Sequence, residues 1–132
     1  MERRIIALAK KAFSMFPKKI EEPEFRVLNK NEFELLLLRS PIIKHHKEDM
    51  EYSPALSCFK EDKVEVCFCP EIIKSFSHNE DFIIALALHE FYHIWNRMLV
   101  DTEEDAIISE NLVHHELGKD FPQYAKLLYY PK

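Results

Sequence analysis

Ala87-Leu88-His89-Glu90-Phe91-Tyr92-His93-Ile94-Trp95 places two histidines four residues apart, with a glutamate directly after the first. The pattern is His-Glu-x-x-His, and Phe82 to Leu88 just before it reads Phe-Ile-Ile-Ala-Leu-Ala-Leu. A run that is apolar nearly all round, without Gly or Pro, predicts a helix buried in a core. Residues four apart on a helix are separated by about 400° of rotation, so His89 and His93 share a face about 6 Å apart along the axis. Each can direct one imidazole nitrogen at the same zinc ion, about 2.0–2.1 Å away. Glu90 can reach a water held by that ion without replacing a ligand. The arrangement suits metal-assisted hydrolysis, in which zinc acidifies a water and the glutamate takes its proton. The plainer alternative is a pair of half-exposed histidines on an amphipathic helix. The uncharged neighbours Leu86, Ala87, Leu88, Phe91, Tyr92, Ile94 and Trp95 argue against it, because buried polar groups need partners and a metal satisfies all three.

A catalytic zinc takes three protein ligands and keeps one position open, so a further ligand is expected. Eight residues after His93, Asp101-Thr102-Glu103-Glu104-Asp105-Ala106 opens a second helical pattern. Here the chain resembles the gluzincin metallopeptidases, whose second helix carries a glutamate in a Glu-x-x-Ala setting. The matching residues are Glu103-Glu104-Asp105-Ala106, and the resemblance, over about residues 80–117, is nearest to the single-domain minigluzincins. It implies an α+β fold in which a small mixed sheet of about three strands packs on an N-terminal helix, the zinc helix and the glutamate helix. It also implies a zinc-dependent endopeptidase with His89, His93 and Glu103 as ligands and Glu90 as general base. Helix capping accounts for Glu104 through an Asp101-x-x-Glu104 capping box, which leaves Glu103 as the expected ligand. A tight antiparallel helix pair would instead bring Glu110 opposite the histidines. Many gluzincins have an acid after the small residue to orient the first histidine; this chain has Ile107.

At 132 residues the chain is expected to form a single domain over 1–132. Hydrophobic residues make 47% and charged ones 31%, the profile of a globular protein. A net charge of −5 disfavours nucleic acid as a partner. No apolar run approaches the roughly 18 residues needed to cross a membrane. The apolar stretch after Arg4 is too short for a signal peptide, so a cytoplasmic protein is expected. The three cysteines, Cys58, Cys67 and Cys69, do not describe a disulfide framework and read as buried thiols.

The remaining elements follow from periodicity and punctuation. Residues 2–16 show a helical apolar stripe ended by Pro17, read as core rather than membrane anchor. Residues 24–28 read as a strand, and 32–39 as helix or strand. Residues 42–53, with His45 and His46, read as a loop or flap. Residues 55–59 and 64–69 form a hairpin around Lys60-Glu61-Asp62-Lys63. Residues 70–76 read as a short helix, and Ser77-x-x-Glu80 as a capping box starting the zinc helix near 78. The second long helix runs from Thr102 to about Leu117, with Ala106, Ile107, Leu112, Val113 and Leu117 as its core stripe and Gly118 as C-cap. The aromatic tail from Phe121 to Lys132 either docks on the domain or silences its cleft.

The expected function is zinc-dependent hydrolysis of peptide or protein substrates. Tyr92, Arg97, Tyr124 and His114 are unranked candidates for stabilising the oxyanion. The alternative is a catalytically silent, zinc-stabilised binding module. A homodimer through the hairpin edge or tail is compatible with either.

Overall fold

The computed structural model describes residues 2–39, 54–60, 62–96 and 103–129. Its centre is the helix α4 (Glu80–Asn96), the fourth of six helices among the described residues. Every residue from Phe82 to Leu88 is buried, and so are Phe91, Tyr92 and Ile94, as an apolar sequence without a polar face requires. Asn79 starts this helix: its Oδ1 accepts the Asp81 N–H at 2.9 Å. Ser77, expected to be that cap, instead closes α3 (Pro70–Phe76), and its hydroxyl accepts the Asn79 N–H at 3.0 Å.

Around α4 lie α1 (Glu2–Met15), α5 (Glu103–Asp120), α6 (Pro122–Tyr129) and a three-stranded mixed sheet. The fold is α+β, as the sequence predicts. The N-terminal helix buries Ile5, Leu8, Ala9 and Ala12, and Arg4 ties it to Glu80 at the start of α4 through a two-pronged ion pair. Phe13 and Phe16 meet Phe91 edge-on, each with ring centroids 5.6 Å apart.

The strands are β1 (Glu24–Val27), β2 (Ala55–Phe59) and β3 (Val64–Phe68), in the order β1-β3-β2. β1 runs parallel to β3, and β2 pairs antiparallel with it, Ser57 lying opposite Val66. Alternation sorts the two faces. Val66 and Phe68 join the core around α4, while Cys67 and Cys69 pack with Leu28, Phe33 and Ile72 on the other side. The three cysteines are free thiols. The ambiguous Leu-rich segment is helical: α2 (Lys30–Arg39) begins with a capping box in which the Glu32 N–H donates to Asn29 Oδ1 at 2.8 Å.

Two details of α5 differ from expectation. It continues to Asp120, so Gly118 is an internal helical residue rather than the cap. Its buried stripe is Ser109, Val113 and Leu117, spaced by four, whereas Ile107 and Leu112 are 48% and 46% exposed. The tail through Tyr129 forms α6, which packs on both α4 and α5 with Ala125 buried. The expected 42–53 flap lies outside the described residues. No helix among those described is long and apolar enough to cross a membrane.

Candidate metal centre

Three side chains from the two packed helices converge. His89, His93 and Glu110 each offer one ligand atom, and these atoms lie within 4.8 Å of one another. The helical spacing of four sets the two imidazoles side by side, with ring centroids 4.6 Å apart. From α5, Glu110 Oε1 lies 2.7 Å from His93 Nε2, and Oε2 lies 3.5 Å from His89 Nε2. Both histidines are largely enclosed.

Glu103, the ligand expected from the resemblance, opens α5 seven residues before Glu110, about 10 Å away along the axis. Its side chain lies outside the described residues. Glu104 is exposed. Among the described residues the carboxylate that reaches both histidines is Glu110, the alternative the sequence leaves open.

Glu90 is 5% exposed and points between α4 and the sheet. Its Oε1 accepts the Ser57 hydroxyl at 2.6 Å, and its Oε2 lies 3.0 Å from His89 Nδ1. A carboxylate only accepts, so His89 Nδ1 carries a hydrogen toward Glu90, and Nε2 faces the second carboxylate, Glu110, where a metal would have to displace any proton. Glu90 thus orients the first histidine, the task left open by Ile107. Ser57 carried no motif signal. Its only trace in the sequence is a hydroxyl at an inward position of an alternating strand.

The electrostatics follow from this geometry. Burial disfavours the imidazolium of His89, but the Glu110 charge and hydrogen bonds to Glu110 and Glu90 outweigh it, raising the group to about 10. Burial likewise opposes the charge on Glu110, yet His89, with hydrogen bonds from His114, His89 and His93, holds the carboxyl well below its ordinary range. Glu90 is also lowered: burial acts against its charge, and His89, His93 and Ser57 prevail. In the metal-free chain His89 is therefore held protonated beside two carboxylates, and an incoming cation would displace that proton.

The oxyanion candidates separate clearly. Tyr92 is fully buried and its hydroxyl donates to Asp120 Oδ2 at 2.6 Å, so it is committed to a structural bond. Tyr124 packs at the edge of the core beside Phe121. Arg97 lies outside the described residues. His114 stands at the site, its Nε2 2.9 Å from Glu110 Oε2. Comparison with protein-family models, with curated proteins and with solved structures found no match.

Proposed function

We propose that the chain is a zinc-dependent endopeptidase of the gluzincin kind, with His89, His93 and Glu110 as ligands and Glu90 as general base. The observation that carries this reading is the convergence of two imidazole nitrogens and one carboxylate oxygen within 4.8 Å. Two nitrogens and an oxygen are a donor set that zinc accepts, and three protein ligands leave a fourth position for a water or substrate. A zinc ion held there supplies Lewis acidity toward a water and a peptide carbonyl. Glu90, ionised beside the site, takes a proton at a carboxylate oxygen and delivers it to the leaving amine. Each of its oxygens already accepts one hydrogen bond and keeps a further lone pair for that proton.

The sheet supports the same reading. Among the described residues β2 is an outer strand, and it packs beside α4. An extended peptide could add to its free edge through main-chain hydrogen bonds, giving affinity with little sequence preference. The experiment is Glu90→Gln: zinc content is retained, and hydrolysis of an unfolded protein substrate falls by about 10²–10⁴-fold, the usual range for a lost general base. An undiminished rate would remove Glu90 from the mechanism.

One observation favours a second reading, a zinc-stabilised binding module without turnover. Glu90 is buried and engaged at both oxygens, by Ser57 and by His89. Under that reading zinc raises the melting temperature of wild type and Glu90→Gln alike, and neither cleaves a substrate.

A further inference from the structure

The three-residue metal group leaves a fourth polar side chain at its edge. His114 follows Glu110 by one helical turn, the spacing at which side chains on one helix meet. Its Nε2 lies 2.9 Å from Glu110 Oε2, the oxygen remote from His93. Oε1 of Glu110 meets His93 of α4 at 2.7 Å, while Oε2 meets His114 of its own helix at 2.9 Å and lies farther, at 3.5 Å, from His89. The His114 side chain is 42% exposed, against 17% for His89 and 12% for His93, so it stands toward solvent while the other two stand inside.

A glutamate ligand on a helix has three side-chain torsions and two equivalent oxygens. Left free, it would exchange oxygens and rotamers, and each such freedom lost on metal binding weakens binding. A donor fixed to one oxygen removes that freedom beforehand and leaves the other oxygen for the ion. We propose that His114 is a positioning residue for the metal site: its Nε2–H holds Glu110 Oε2 and so fixes the carboxylate with Oε1 turned to His93 and left for the ion. This rests on the metal-site reading above. It distinguishes His114 from a fourth ligand, which would fill the position a hydrolytic site must keep open. The ligand atoms grouped within 4.8 Å come from His89, His93 and Glu110.

The test compares wild type, His114→Gln and His114→Ala in the full chain, by zinc competition against a chromophoric chelator and by the visible spectrum of the cobalt-substituted protein. The glutamine side-chain amide can donate to the same oxygen while being a poor zinc ligand. The expected result is zinc binding weakened by about 10–100-fold in His114→Ala and largely restored in His114→Gln, with one cobalt spectrum throughout. Unchanged affinity in His114→Ala would overturn the inference and leave the His89–His93–Glu110 site standing. An altered cobalt spectrum, with glutamine as damaging as alanine, would also overturn it by making His114 a ligand. A wild type that binds no zinc would overturn the metal-site reading itself, and this inference with it. Position 114 is partly exposed on a helix, where alanine and glutamine are both good helix formers, so the variants are expected to fold.

Discussion

The Ser57 hydroxyl donates to Glu90 Oε1 across 2.6 Å, joining the outer strand of the sheet to the helix that carries both histidines. A buried carboxylate is thereby held by a residue 33 positions away in the sequence. Removing the hydroxyl leaves that carboxylate a donor short, which costs about 1–3 kcal/mol. Urea unfolding of Ser57→Ala should show this loss. In the Glu90→Gln background the same change should cost less, since the charge that needs the donor is gone. Equal losses in the two backgrounds would deny the coupling.

The cluster makes metal-free stability depend on pH in a defined direction. His89 is raised from 6.5 to about 10 in the folded chain, so its contribution is complete below pH 6.5 and is lost as pH climbs through 10. Glu110 is lowered from 4.5, so its contribution is complete above pH 4.5 and is lost on acidification. The cluster therefore supports the metal-free fold most between these two values. Thermal melts of chelator-treated wild type and His89→Gln should show a gap that narrows steadily from about pH 6.5 upward. Zinc affinity should move the opposite way over that range, rising with pH as the competing proton leaves. A gap that widens with pH would contradict the assignment.

Tyr92 sits between the two histidines in sequence, yet its hydroxyl faces Asp120. Tyr92→Phe should reduce stability by about 0.5–1.5 kcal/mol, the net worth of one hydrogen bond. Zinc stoichiometry should stay unchanged. A loss of metal in this variant would mean that the hydroxyl belongs to the site rather than to the α4–α5 packing.

Phe91, fully buried, is ringed by Phe13, Phe16 and Phe25. It lies on the face of α4 that packs against α1 and the sheet. Phe91→Ala should cost about 3–5 kcal/mol by chemical denaturation, a loss that includes the cavity left behind. A cost below about 1 kcal/mol would mean that α1 repacks freely.

What the sequence discloses here is what short-range pattern can carry. The central helix is legible because its apolar run admits one environment, and the hairpin because two alternating strands flank four polar residues. The third member of the candidate metal group is not legible, since it depends on how α4 and α5 cross, and no local pattern encodes that. Capping logic and a motif match both point to Glu103, whereas the packing of α5 on α4 brings Glu110 to the histidines. The α5 core stripe holds at Val113 and Leu117 and fails at Ile107 and Leu112 for a related reason. Ile107 and Leu112 are apolar, but the face turned to α4 and α6 is the one bearing Ser109, Val113 and Leu117. Ser57 escapes notice because a single serine in a strand becomes informative only once Glu90 lies against it.

The most direct test is metal content by elemental analysis, on protein purified without chelator or histidine tag. About one zinc per chain is expected in wild type and in Glu103→Ala, and none in His89→Ala, His93→Ala or Glu110→Ala. Metal retained in Glu110→Ala and lost in Glu103→Ala would contradict the ligand set, and a wild type without metal, unstabilised by added zinc, would contradict the metal site altogether.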